Sequence, residues 1–291
     1  MITDYQCNEV YFSSWLKSDY SNIYNGLEKI LNKHNITYGI IPHTKDVWCR
    51  DYMPLQIDEY KYLCYNYRPD YLTKNPINHK YITDSQLVCH EMNLKTIPTS
   101  LIIDGGNVVK AGNRIIMTEK VFFENPNVSK EGIKREIENK MECEVIFIPW
   151  DKEEKYGHSD GIVKPISDDA VLLTNYHDFD SEYTNEVVKR LKGIFDIASL
   201  SYKAKELDQR SWAYINFLTV GNLIILPALG IEEDEQALSQ IKQYYPNCII
   251  EQLNVSKLVK DRGGLNCISW CRYVNKKNPY VKSFSKKTNQ T

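Results

Sequence analysis

Asp104-Gly-Gly-Asn-Val-Val-Lys-Ala-Gly-Asn-Arg-Ile-Ile-Met117 decides how the rest of the chain is read. A carboxylate and two glycines lead into the strand Asn107-Val-Val, the turn Ala111-Gly-Asn113 follows, and 114–117 is the return strand. The segment is a β-hairpin introduced by a polar residue. The same pattern recurs at 162–173 and 217–226, and five residues open apolar segments in this way: Asp51, Asp104, Asp160, Asn216 and Cys267. Their separations are 53, 56, 56 and 51 residues, while identity between the repeats is weak. The spacing carries the repeat.

Helix-period segments lie between the hairpins. They are 129–141, with Ile133, Ile137 and Met141 on one face, 182–194, with Val187, Leu191 and Ile194, and 234–245, with Leu238 and Ile241. Ser129 and Asp234 are the expected N-caps. Short β-rich runs at 143–149 and 248–253 follow two of these helices, so the unit reads hairpin, helix, strand. The N-terminal part supplies what the fifth opening lacks, a helix over 20–32 and a strand at 38–42. First and last segments are therefore expected to complete one blade, which removes an exposed sheet edge. The expected fold is α/β, a five-bladed propeller with pseudo-five-fold repeats. The five opening residues start its innermost strands and face one axial pocket. A parallel α/β sheet, which also alternates strands and helices, is the competing arrangement.

The chain has 291 residues, 42% hydrophobic and 25% charged, enough to bury a sizeable core. One domain is expected over 1–275, followed by a polar, basic tail at 276–291 with five lysines. Thirty-six basic against thirty-eight acidic residues give a net charge of −2, which argues against nucleic acid or an anionic membrane as partner. The first residues lack a basic and apolar leader, and the most apolar run, 223–231, is about half a membrane span and contains Pro227 and Gly230. A cytoplasmic protein is expected. Its eight cysteines are scattered and read as reduced thiols. Only Cys267 and Cys271 have the spacing of a zinc pair, and no second pair accompanies them, so no metal is expected.

Gly157-His-Ser-Asp-Gly161 fits the G-x-S-x-G elbow of serine hydrolases, yet Pro165 and a β-type run follow where that motif needs a helix. Ser159 is a decoy on this reading. His158 and Asp160 lie two apart and share a face on a strand. With Asp51, Asp104 and Cys267 they make up a nucleophile, an acid/base and anions, the set a thiol enzyme needs. Singly, each has a plain structural explanation: a hydrogen-bonded histidine, an Asp-Gly turn, a core cysteine. At matching repeat positions, burying all of them without use would be costly.

Trp48-Cys-Arg-Asp51-Tyr-Met-Pro54, Asp104-Gly-Gly-Asn107, Gly157-His-Ser-Asp160, Tyr214-Ile-Asn-Phe217 and Gly263-Gly-Leu-Asn-Cys267-Ile-Ser resemble, in order and across nearly the whole chain, the signatures of the agmatine deiminase and bacterial peptidylarginine deiminase family. The resemblance implies the pentein fold, a five-bladed α/β propeller with an axial active site. It implies Cys267 as nucleophile, His158 as acid/base, Asp51 and Asp160 as guanidinium-binding carboxylates and Asn216 as a catalytic-site asparagine. Trp48 matches an aromatic that covers the substrate, and Asp104, Gly105, Gly106 and Asn107 are expected on the substrate-binding side. The chain departs from the family pattern at Asp104, often Glu, at Asn266, often His, at Met53, often smaller, and in a shorter glycine run before Cys267.

The expected substrate is a small cationic guanidino compound, agmatine first, hydrolysed to N-carbamoylputrescine and ammonia through a Cys267 thiouronium, with no cofactor. Peptidylarginine and free arginine are the alternatives. A non-catalytic pentein that binds a partner is the alternative of another class, and self-association into a homo-oligomer stays open. Two nearby carboxylates should raise the Cys267 thiol pKa until a cationic substrate arrives. The stretch 65–72, aromatic and charged, is read either as part of the site entrance or as a packed surface loop.

Overall fold

In a computed structural model, which describes residues 1–152, 154–203 and 209–275, each repeat folds into a three-stranded sheet of one design. An inner strand pairs antiparallel with a middle strand, and the middle strand pairs parallel with an outer one. The second sheet consists of Leu55–Gln56, Lys61–Asn66 and Lys95–Ile102, and the third of Val109–Ala111, Arg114–Thr118 and Glu144–Ile148. Val163–Pro165, Ala170–Leu173 and Asp196–Ser199 form the fourth, and Leu218–Val220, Leu223–Ala228 and Ile249–Asn254 the fifth. Tight turns make the inner pairs antiparallel. Gly112 (φ 55°) and Gly221 (φ 59°) occupy the left-handed backbone region that these hairpin tips require. A parallel outer strand needs a crossover, and a helix supplies it in every blade.

Those helices are Ser21–Lys33, Ser85–Glu91, Lys130–Met141, Ser181–Leu191 and Glu233–Tyr244. Ile133, Ile137 and Met141 are buried as the spacing predicts, and Ser129 Oγ caps its helix by accepting the Gly132 N–H at 3.1 Å. Asp234 is not a cap. It lies in the first turn, where its carboxylate accepts the N–H groups of Leu229 and Gly230 at 2.8 Å each and the Tyr214 hydroxyl at 2.6 Å. Its two oxygens serve to close that loop. The helix expected over 182–194 is capped by Asp180 and ends at Leu191, two residues before Gly193 (φ 85°).

The first sheet joins the two ends of the sequence. Trp270–Arg272 is its inner strand, antiparallel to Glu9–Ser13, which runs parallel to Thr37–Ile41. The ring closes as the repeat pattern requires. At the seam, Arg272 Nη2 and Nε each lie 2.9 Å from Glu9 Oε2, which also accepts the Tyr11 hydroxyl at 2.8 Å, and all three residues are buried.

The five opening residues do not start the innermost strands. They stand in or beside short helical turns just before them: Cys49–Tyr52, Gly105–Asn107, Ser159–Gly161, Gln209–Tyr214 and the turn 265–268. A helical turn leaves backbone N–H groups free of strand pairing, and the site uses them. Among the described residues no helix is long and apolar enough to cross a membrane. The tail expected at 276–291 lies outside the described residues.

Replacing Arg272 by Met should destabilise the fold by about 3–5 kcal/mol, because it strands the Glu9 carboxylate in the core. Adding Glu9→Gln should restore much of that loss. Urea denaturation of the two variants is the measurement, and a single variant as stable as wild type would mean that the seam pair contributes nothing.

Candidate active site

Asp51 and His158 meet over a glycine. Asp51 Oδ1 accepts the Gly106 N–H at 3.0 Å and lies 3.7 Å from His158 Nδ1. A methyl group at Gly106 would stand 2.6 Å from both Asp51 Oδ1 and His158 Nδ1, so no larger residue fits. On the other side of the ring, His158 Nε2 lies 2.8 Å from Asp104 Oδ2. The imidazole is thus held between two buried carboxylates. Burial alone would lower its pKa, but the Asp51 charge and the hydrogen bond and charge of Asp104 outweigh it and raise the pKa to about 9. Burial, with Asp104 and Asp160 adding to it against the opposing charge of His158, pushes Asp51 up to about 7.

Asn216 organises the sulfur. Its Oδ1 accepts the Asn266 N–H at 3.1 Å and the Cys267 N–H at 3.3 Å and lies 3.3 Å from Cys267 Sγ, while its Nδ2 donates to the Asp160 carbonyl at 3.2 Å. Cys267 Sγ stands 3.8 Å from Asp160 Oδ2, which accepts Asn266 Nδ2 at 2.8 Å. Burial, then Asp160 and Asp51, holds the Cys267 thiol well above the usual thiol range. This is the direction that the carboxylates around it predict.

Beneath Cys267 lies a layer that sequence reasoning passed over. Asn266 Oδ1 accepts from Arg50 Nη2 and from Lys164 Nζ, both at 3.1 Å, and the Arg50 N–H donates to the Cys267 carbonyl at 3.0 Å. Arg50 also pairs with Asp4 at 3.4 Å. Arg50 stood inside the quoted Trp48-Cys-Arg-Asp51 segment, next to a predicted carboxylate, and that adjacency was its only signal. Lys164 sits in a strand of apolar residues, where alternation reads it as outward.

His158, Asp160, Asn216 and Cys267 all line one cavity of about 730 Å³, together with Tyr156, Asp151, Glu154, Asp180, Lys260 and Arg262 among others. Asp51, Trp48, Asp104, Gly105, Gly106 and Asn107 are not among the lining residues. Trp48 is half-buried against Gly263, where a methyl group would stand 1.8 Å from the indole ring. Gly105 is pressed on the Arg50 carbonyl, and Asn107 Oδ1 accepts the N–H groups of Thr118 at 2.8 Å and Ser159 at 3.3 Å. Ser159 is fully buried and its hydroxyl donates to the Ile116 carbonyl at 3.2 Å, so it presents no nucleophile to the cavity. Cys271 points elsewhere, with its Sγ 3.3 Å from the Thr219 carbonyl in the core. The stretch 65–72 packs under the site: Tyr65 donates to the carbonyls of Asp51 and Met53 at 2.7 and 2.8 Å, and Tyr71 lies edge-on to His158.

A sequence profile of the Porphyromonas-type peptidyl-arginine deiminases matches residues 18–271. A Mycoplasma capricolum protein named "Putative agmatine deiminase" is 25% identical over 223 residues, which are 62% of this chain and 60% of that protein. The match therefore spans less than two thirds of the relative's length. The solved agmatine deiminase of Enterococcus faecalis superposes with a TM-score of 0.71 at 18% identity, covering 93% of this chain and 94% of that one. That of C. jejuni gives 0.73 at 16% identity, covering 94% and 95%. These solved folds are pentein folds, and so is the fold described above.

Alkylation of Cys267 by iodoacetamide in the ligand-free protein, corrected with a Cys267→Ala variant for the other thiols, should set in only at a pH above that at which an ordinary cysteine reacts. His158 should titrate in the same sample with an NMR midpoint near 9. A Cys267 midpoint below 7 would contradict the electrostatics set out here.

Proposed function

The chain belongs to the Porphyromonas-type peptidyl-arginine deiminase family, and from that premise we propose that it is a hydrolase of guanidino C–N bonds, acting on agmatine to give N-carbamoylputrescine and ammonia. The observation that carries the reading is the meeting of Cys267, Asp160 and Asn216 with a histidine clasped by two carboxylates, at one cavity. A guanidinium is planar and offers N–H donors in a fork, which two carboxylates can hold with charge-assisted hydrogen bonds worth about 1.5–3 kcal/mol each. Asp160 lines the cavity and is one of those carboxylates; Asp51, which meets the cavity-lining His158 from outside the lining, is the second. An aromatic face such as Trp48 would add about 0.5–2 kcal/mol once the cation lies over it.

Binding of the cation reverses the electrostatics of the sulfur. In the empty site the aspartates oppose a thiolate, whereas beside a guanidinium the thiolate is favoured. The thiolate attacks the guanidinium carbon to form a tetrahedral adduct. His158, an imidazolium at neutral pH, protonates the departing amine, and ammonia leaves a thiouronium on Cys267. The imidazole, now neutral, takes a proton from water as its oxygen attacks the same carbon, and collapse of that adduct expels the Cys267 thiolate and, as the hydroxyl proton passes to solvent, frees the ureido product. Asn216 holds the Cys267 N–H and sulfur in line throughout.

Charge along the cavity supports agmatine. Asp151, Glu154, Asp160 and Asp180 line it against Lys260 and Arg262, so a substrate with a second positive charge on its tail is favoured. Free arginine is the second reading, because Arg262 could pair with an α-carboxylate. Eight free thiols suit a reducing compartment, and we place the enzyme in the cytoplasm.

Incubation with agmatine, arginine and an arginine-containing peptide, with ammonia as the readout, tests the proposal. Turnover should be greatest with agmatine, abolished in Cys267→Ala and retained in Ser159→Ala. No ammonia from any guanidine would favour the binding-module reading. Gly106→Ala should lower kcat/KM by about 100-fold, since it displaces both Asp51 and His158.

The pH dependence of kcat/KM should be bell-shaped. Below about 7 Asp51 takes up a proton and loses its grip on the cation, and above about 9 His158 loses the proton it must donate. A profile flat from pH 6 to 10 would reject these assignments.

A further inference from the structure

Lys120 is almost completely buried, at 2% exposure, one shell away from the cavity. It opens the short helix Lys120–Glu124 just after the strand Arg114–Thr118. Its Nζ lies 3.2 Å from Glu124 Oε1, 3.3 Å from Asp70 Oδ1 and 3.8 Å from Asp104 Oδ2, and 4.7 Å above the Tyr71 ring. The stem passes Gly157, the residue before His158, where a methyl group would stand 3.1 Å from Lys120 Cδ. Asp104 Oδ2 is therefore shared. It is the same oxygen that lies 2.8 Å from His158 Nε2.

We propose that Lys120 is a positioning residue of this site: its ammonium draws on the same Asp104 oxygen that His158 meets and so sets how readily His158 gives up its proton. The proposal rests on the deiminase reading for its catalytic meaning, because an acid that must protonate a leaving amine and then serve as a base cannot hold its proton too firmly. His158 faces Asp51 and Asp104 directly, Tyr71 and Tyr156 by their rings, and Asp160 and Cys267 across the cavity. Lys120 is the ammonium among the described ion pairs that touches either of its two carboxylates. Asp70 and Glu124 compete with Asp104 for that ammonium, and Asp70 is itself in contact with Lys74. Burial works against the charge on Lys120, but Asp104, Glu124 and Asp70 outweigh it, so the residue stays an ammonium. Its positive charge acts on His158 in the direction of proton release.

The arrangement gives two opposed signs. Removing the ammonium leaves Asp104 wholly to His158 and should raise the His158 midpoint. Removing a competing carboxylate strips negative charge from the cluster and should lower it. The experiment is an NMR titration of His158 in the ligand-free full chain for wild type, Lys120→Met, Glu124→Gln and Asp70→Asn. The expected shifts are upward by about one unit for Lys120→Met and downward by a few tenths for the two amides. The alkaline limb of the ammonia-release profile should move with each midpoint. Shifts of the same sign in all variants, or none beyond about 0.2 units, would overturn the proposal. A merely structural lysine would lower activity at every pH and leave the midpoint where it was. If Lys120→Met does not fold, the two amide variants decide by the same criterion. A wild type that releases no ammonia would defeat the deiminase reading while leaving this titration interpretable.

Discussion

Negative charge gathered where water is scarce is the constraint on which this molecule is built. Asp51, Asp104 and Asp160 are all buried around the propeller axis, and carboxylates so placed repel one another far more than they would in water. Each is compensated differently. Asp104 is shared by His158 and Lys120, Asp51 takes a backbone N–H and the other side of the same imidazole, and Asp160 is held by Asn266, whose side-chain amide oxygen is itself gripped by Arg50 and Lys164. The cations are supplied from behind and beside the reacting face. On the proposed function, a flat cation entering from the cavity would complete the balance and, by the same event, favour the Cys267 thiolate.

The backbone makes that crowding feasible. Gly106 admits Asp51 and His158 to within contact of one α-carbon, Gly264 does the same for Asn216, and Gly263 for the Trp48 ring. A methyl group at any of these would meet atoms at 2.6 Å or less. The helical turns before the inner strands serve the same end. They point N–H groups of Gly106 and Cys267 at side-chain oxygens of neighbouring blades, so the third blade is tied to the second and the first to the fifth through candidate site residues.

How much of this could be read from the residues follows from what leaves a periodic trace. The hairpins, helices and closing blade were legible, because a spacing near fifty residues and an apolar face at helical intervals are direct consequences of the blade. Asp51, Asp104, Asp160, Asn216 and Cys267 were legible as a set because each occupies the same place in its repeat. Their helical turns were not, since three or four residues of turn leave no hydrophobic period to detect. Asp234 misled because a carboxylate near a helix start serves equally well for closing the preceding loop. The buried cations were hardest. Arg50, Lys120 and Lys164 stand in stretches whose pattern assigns a charged residue to solvent, and only the three-dimensional position of the carboxylates explains why they point inward.

The seam between Glu9–Ser13 and Trp270–Arg272 has a consequence for how the chain acquires its shape. The outer side of the Glu9–Ser13 strand finds Thr37–Ile41 soon after both are made, but Arg272 on its inner side follows Glu9 by 263 residues. Throughout synthesis that flank presents unsatisfied amides, an invitation to pair with a stranger. A ring closed by strands this far apart in sequence cannot close until both have been made, so its seam is a long-range contact that forms after the local hairpins.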